Sequence, residues 1–172
     1  GEQAAFFNQS EAPVSLVILG IMGLLVFIKD NYQAFMLNFL IVIAGFIVAG
    51  ASCLLFMQQH IGPVTWMTMT GLGLYMGYIP FNCVFFERMI ATFRYVSNVG
   101  FIIYVADSFG YLGSVSILLV KNFSNLQLSW SRFFMEMVLG MSVLGIFLML
   151  AAYRYFRKKY RESAVAASLV HP

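Results

Sequence analysis

Residues 31–86, NYQAFMLNFLIVIAGFIVAGASCLLFMQQHIGPVTWMTMTGLGLYMGYIPFNCVFF, carry no charged side chain. The gap from Asp30 to Glu87 is 56 residues long. A helix that crosses a bilayer needs about 20 mostly apolar residues, within a range of about 17–25. The polar group Gln58-Gln59-His60, followed by Gly62-Pro63, divides the stretch once. Two apolar runs result, 34–57 and 64–86, each of spanning length. They do not alternate apolar with polar residues, as barrel strands do. The pattern predicts two membrane helices joined by a short polar turn.

The same reading extends in both directions. Ala12 to Ile28 is uncharged, with Pro13 placed at its first turn, where a missing N–H costs nothing. Lys29-Asp30-Asn31-Tyr32 closes it. Further runs fill 95–120, between Arg94 and Lys121, and 133–153, between Arg132 and Arg154. The remainder, 154–172, reads as a basic cytoplasmic tail. The expected fold is therefore all-α, a polytopic transmembrane bundle of about five spans in a single membrane domain. Composition agrees: 61% of the 172 residues are hydrophobic and 10% are charged, against about 25% charged in a soluble domain. Mean hydropathy is +0.85. A soluble enzyme, a disordered tail and a nucleic-acid-binding domain are excluded, and the bilayer is the first partner. The net charge of +3 comes from basic residues clustered at one end, so it does not point to nucleic acid.

Charge also sets the orientation. With five spans and the C-terminus in the cytoplasm, the inner segments hold Lys29, Arg88, Arg94, Arg154, Arg157, Lys158, Lys159 and Arg161. The outer segments hold only Lys121 and Arg132. This positive-inside bias predicts the N-terminus outside and the C-terminus inside. Trp66, Trp130, Tyr32 and Tyr95 fall near span ends, where amphipathic rings settle. An outside N-terminus with neither a leading Met nor a signal peptide leads us to expect a longer chain, with an odd number of spans in front. Cys53 and Cys83 fall near opposite ends of their spans, too far apart to pair. Two free, buried thiols are expected. No Ser–His–Asp set, HExxH, phosphate loop or CxxC is present. The chain is thus not expected to be an enzyme, and no metal or cofactor is implied.

Asp107 is the most informative residue. It sits at the centre of the fourth span, where a carboxylate costs roughly 2.5–3.5 kcal/mol on insertion scales. Tyr104 and Tyr111, at i−3 and i+4, share its helical face. Two readings stay open: a coupling-ion or substrate site, or a buried acid that hydrogen-bonds across helices. The third span holds Gly71-Leu72-Gly73-Leu74-Tyr75-Met76-Gly77-Tyr78-Ile79-Pro80-Phe81-Asn82. Gly73 and Gly77 permit close helix packing. Pro80 cannot donate to the Met76 carbonyl, so a bend or unwinding is expected between Met76 and Pro80, with Gly77 and Pro80 as the hinge. Tyr75, Tyr78 and Asn82 would face a cavity there, or the segment is a packing groove with a tolerated proline. Glu87, Arg88 and Arg94 form an inner loop that is either a cytoplasmic gate or an interfacial anchor. Glu136 is expected to snorkel outward or to pair with Arg132 at i−4, rather than to serve transport.

Four segments carry a family resemblance: Glu11-Ala12-Pro13, Phe27-Ile28-Lys29-Asp30-Asn31, the run Gly71 to Cys83, and Tyr104-Val105-Ala106-Asp107-Ser108-Phe109-Gly110-Tyr111-Leu112-Gly113. They resemble an uncharacterised bacterial family whose members look like major facilitator superfamily transporters of about twelve spans. The resemblance covers the C-terminal two-fifths of such a protein; the N-terminal half and the seventh helix have no counterpart here. It implies that the five spans correspond to helices eight to twelve, in the bacterial inner membrane. Helices eight, ten and eleven would then line a cavity, with nine and twelve outside. The function so implied is alternating-access transport of a small solute, proton-coupled through Asp107. The remaining partners would be the missing N-terminal helices or a partner membrane chain. The alternative is a non-transporting integral membrane protein with a structural or assembly role.

Overall fold

The computed structural model describes residues 2–123 and 129–170, apart from the side chains of 2–10, 164 and 166–170. The described residues are helical with short connections. Six α-helices are present: α1 (Glu2–Phe27), α2 (Asn31–Met57), α3 (Pro63–Pro80), α4 (Phe86–Phe93), α5 (Val99–Phe123) and α6 (Trp130–Val170). A π segment, Phe81–Phe85, joins α3 to α4 without a break. The chain thus forms five long helical runs. Three of them, α2, α5 and the part of α6 from Trp130 to Ser163, are by themselves long and apolar enough to cross a membrane.

Local chemistry accounts for the helix boundaries. Asp30 caps α2: its carboxylate accepts the Gln33 N–H at 2.8 Å, which satisfies one orphan donor of the first turn. Gly62 precedes α3, and Pro63 opens it. Arg94 ends α4 in a left-handed conformation, φ 51° and ψ 38°. Pro13 departs from expectation. It lies inside α1 rather than at its first turn, and it is exposed.

α2 is the hub. It packs against α3, α6, α4 and the π segment. Its buried residues run from Ala34 to Cys53. The closest approach is backbone to backbone. A Cβ added at Gly45 would lie 2.5 Å from the Gly73 carbonyl oxygen, and one added at Gly73 would lie 2.5 Å from that of Gly45 and 2.6 Å from the Ala49 nitrogen. Small residues allow such contact in a bilayer, where apolar burial alone does not drive helices together. The expected pair Gly73 and Gly77 is only partly used. Gly73 is in the contact, whereas a Cβ at Gly77 would meet nothing within 4 Å. Further along, the Ser52 and Thr70 hydroxyls bond at 2.8 Å, both buried. On the other side of α2, Gly145 of α6 leaves room for the Phe46 ring. The span expected to lie outside is therefore the centre of packing within this chain.

An aromatic cluster builds one end of the bundle. Phe35 and Phe39 of α2 meet Phe85 and Phe86, with ring centroids 4.9 Å apart for Phe35–Phe85 and 5.0 Å for Phe39–Phe85. α6 does not stop at Tyr153. Its 41 residues make a helix of about 60 Å, twice the ~30 Å hydrocarbon thickness. The extension docks. Phe156 joins the aromatic cluster, and Tyr160 stacks on Tyr32 with centroids 3.7 Å apart. Lys159 Nζ donates to the Tyr95 hydroxyl. What reads as a basic tail is thus a continuation of the last helix, as far as Val170.

These contacts gather the loop after α1, the end of α4 and the extension of α6 at one end of the bundle. Lys29, Arg88 and Arg94 belong to it, as do Arg154, Arg157, Lys158, Lys159 and Arg161 of the α6 extension. At the opposite end Phe56 stacks on Trp66 at 4.5 Å, and Lys121 lies over the Trp130 ring at 5.2 Å. The expected pair Arg132–Glu136 forms there, at 3.1 Å. Both cysteines are free, but only Cys53 is buried; Cys83 is exposed.

The Gly45 contact gives the first testable expectation. Gly45→Ala forces backbone apart and should destabilise the protein by about 1–3 kcal/mol. Gly20→Ala, where an added Cβ meets nothing within 4 Å, should be neutral or slightly stabilising. Thermal unfolding in detergent compares them; equal midpoints would remove the packing role assigned to Gly45.

Candidate functional site

Sequence spacing places Tyr78, Phe81 and Asn82 at i, i+3 and i+4, and Asp107, Gly110, Tyr111 and Ser114 at i, i+3, i+4 and i+7. The structure turns these two stripes toward each other. Together with Ala106 they line one cavity of about 350 Å³ between the α3–π run and α5. Four expected site residues, Tyr78, Asn82, Asp107 and Tyr111, are thereby brought together.

Two others are not. Tyr104 is 76% exposed and lies outside the cavity. α5 meets the aromatic cluster through Val99, Ile102, Ile103 and Ala106, so Tyr104 lies at the level of that docked stretch and below the cavity that Tyr111 reaches. Tyr75 faces α1 instead, in a mostly apolar cavity of about 340 Å³ with Val14, Ser15, Ile18, Leu19, Met22 and Ile79.

At the expected hinge, the helix does not unwind before Pro80. The chain stays α-helical from Met76 through Pro80, whose φ and ψ are −63° and −33°. Pro80 is fully buried. The irregularity is the π segment that follows, not an unwinding before the proline. A wider turn of this kind is a common feature of functional sites in helices. Asn82 sits in it, and its Nδ2 donates to the Tyr78 carbonyl at 3.1 Å. Its Oδ1 is shielded and has no partner among the described residues. Across the cavity, Ser114 Oγ donates to the Gly110 carbonyl at 3.0 Å. No hydrogen bond or ion pair engages the Asp107 carboxylate among the described residues. The cavity therefore presents an uncommitted carboxylate and two phenols, with the amide of Asn82 in its wall.

The segment expected to be a loop, with Glu87, Arg88 and Arg94, is helix α4 and its C-cap, and the three charged residues behave differently. Glu87 is exposed and makes no ion pair among the described residues. Arg88 ties α4 to α2, its NH1 donating to Asn31 Oδ1 at 2.7 Å. Arg94 lines a small polar cavity with Asp30, Asn31, Tyr32, Ala91, Thr92 and Tyr160. Beside it, beyond the apolar part of α6, the hydrogen bond to Tyr95 raises the pKa of Lys159 above its ordinary value.

One buried polar residue carries no charge signal and is missed by sequence reasoning. Asn38 of α2 is fully buried. Its Nδ2 donates to the Ala34 carbonyl at 2.8 Å, and its Oδ1 has no partner among the described residues. An amide in the apolar run 34–57 is the signal that could have found it. Among the described residues no group of three or more His, Cys, Asp or Glu could hold a metal ion.

Residues 1–159 match a family described as a family of unknown function, DUF5690. No curated protein and no solved structure matches the chain.

Whether water reaches the cavity can be read by thiol labelling. With Cys83 replaced by Ser, a cysteine at Ser114 should react with a hydrophilic, membrane-impermeant maleimide faster than one at Tyr104. Equal rates, or an unreactive Ser114→Cys, would mean that the cavity is not aqueous.

Proposed function

We propose that this chain, which belongs to the DUF5690 family of unknown function, works as part of a secondary membrane transporter that moves a small solute by alternating access. The observation that carries the reading is the cavity in which Asp107, Tyr78, Asn82 and Tyr111 meet beside a π segment. Ionisable residues in membrane helices usually line pathways or face partners. Irregular helices beside a cavity are the usual setting of transporter sites. In this reading Asp107 takes up and releases the coupling proton, the tyrosines and Asn82 hold the solute, and the π segment absorbs the change in helix shape. The likeness to major facilitator transporters belongs to the same proposal, as do a bacterial inner membrane and an outside N-terminus. The grouping of basic residues at one end of the bundle supports that orientation.

α5 contributes half of the cavity yet has no buried residue. Its free face is suited to further helices of the transporter or of a partner membrane chain. The same face is what favours the second reading, a non-transporting assembly protein. Water and proton traffic through the Asp107 cavity separates the two.

A thermal-shift screen of small solutes first identifies a ligand for the intact transporter. Asp107→Asn should then abolish uptake driven by a pH gradient while sparing solute exchange, which moves no net proton. Full gradient-driven uptake in that variant ends the coupling role. For orientation, an impermeant thiol reagent added outside should reach Gln59→Cys and miss Ser163→Cys; the reverse pattern overturns it.

A further inference from the structure

The small cavity at the basic end belongs to neither the solute site nor the aromatic core. It measures about 220 Å³ and is lined by Asp30, Asn31, Tyr32, Ala91, Thr92, Arg94 and Tyr160. Three separate elements converge on it: the start of α2, the end of α4 and the extension of α6. The extension supplies Tyr160, held in place by its stack on Tyr32.

Its hydrogen-bonding inventory is unbalanced. Thr92 Oγ1 is shielded and has no partner among the described residues. The guanidinium of Arg94 has no anionic partner among them. Behind Asn31, the Arg88 Nε–H is likewise shielded and unpaired, although its NH1 is committed to Asn31. The acidic member, Asp30, caps α2 by accepting the Gln33 N–H at Oδ1, and it makes no ion pair with Arg94 among the described residues. A guanidinium without an ion pair, next to an unpartnered hydroxyl, calls for a ligand rich in acceptors and negatively charged. A shielded hydroxyl left without a partner costs about 1–3 kcal/mol.

We propose that this cavity binds a phosphate group. A guanidinium matches phosphate oxygens through two parallel N–H donors, and a hydroxyl at Thr92 supplies another. At ~30 Å³ per water molecule the space equals about seven waters, enough for a phosphate with the first atoms of its ester arms. The site lies where the apolar stretches of the helices end and the basic side chains begin, at headgroup depth. A phospholipid headgroup and a free phosphate share this chemistry. Neither source depends on transport through the Asp107 cavity.

The test uses the full chain in detergent and follows its thermal midpoint. Three probes are titrated: phosphatidylglycerol, acyl-matched diacylglycerol that lacks the phosphate, and inorganic phosphate. Stabilisation by phosphatidylglycerol but not diacylglycerol supports the site and assigns it to lipid. Stabilisation by inorganic phosphate supports it with a free anion as ligand. Arg94→Gln should weaken the effective probe about tenfold, the scale of a lost charge-assisted hydrogen bond. Thr92→Val, a near-isosteric change that keeps the fold testable if Arg94→Gln does not fold, should weaken it by a smaller factor. Arg157→Gln, which removes a basic residue outside the cavity, should leave it unchanged. The proposal is overturned if no probe stabilises the protein, if diacylglycerol acts as well as phosphatidylglycerol, or if Thr92→Val binds like wild type. It fails equally if Arg157→Gln weakens binding as much as Arg94→Gln does.

Discussion

The backbone contact between Gly45 and Gly73 is the constraint on which the rest of the bundle depends. Lipid is as apolar as the helices, so burying leucine against leucine gains little in a bilayer. What remains is close packing and hydrogen bonding, and both concentrate on one face of α2. Gly45 and Ala49 admit the α3 backbone. Ser52 and Thr70 then bond in the space that small residues leave. Trp66 Nε1 closes this end of the interface by donating to Cys53 Sγ at 3.4 Å. With α2 and α3 fixed, α3 reaches Pro80 in a set orientation. The π segment then delivers Phe85 and Phe86 to the aromatic cluster while Asn82 stays in the cavity wall.

The cavity is the product of two kinds of helix contact. α3 is held tightly through glycine, whereas α5 meets the bundle mainly through Val99, Ile102, Ile103 and Ala106 near its start. Past Ala106 it leaves the bundle wall, and the gap that opens holds Asp107 and Tyr111. A single charged residue in that gap needs water or a partner, because burial without either is costly. An open wall on the α5 side meets that requirement, and it is also the geometry from which a bundle could close.

Much of this was legible from residues alone. The uncharged run 31–86 and its Gly-Pro divider gave the two best-packed helices. Charge spacing placed the basic segments at one end, and the stripe of Asp107 and Tyr111 reached the cavity. The failures have physical causes. Tyr104 lies on nearly the same face as Tyr111, but it falls at the level where α5 is docked, so periodicity alone could not separate them. Pro80 signals a lost hydrogen bond without saying on which side the helix adjusts. Here the irregular turn follows it, at Phe81–Phe85. The stretch 154–160 was read through its charges, although Tyr153, Phe156 and Tyr160 at i, i+3 and i+7 make an apolar stripe of their own.

That stripe ties the last helix to the walls of both cavities. Phe156 joins the cluster that includes Phe85 of the π segment, with Phe35 touching both rings, at 4.9 Å to Phe85 and 5.2 Å to Phe156. A change in shape at the π segment would therefore be felt by the extension of α6. Tyr160, one turn further, stacks on Tyr32 two residues after Asp30, and both tyrosines line the polar cavity with Arg94. The two cavities are thus joined by continuous aromatic packing. Packed layers of this kind switch between discrete arrangements rather than deforming smoothly. An anion held at Arg94 and Thr92 would brace the extension of α6 against Tyr32 and, through Phe156 and Phe35, hold the π segment in its present register.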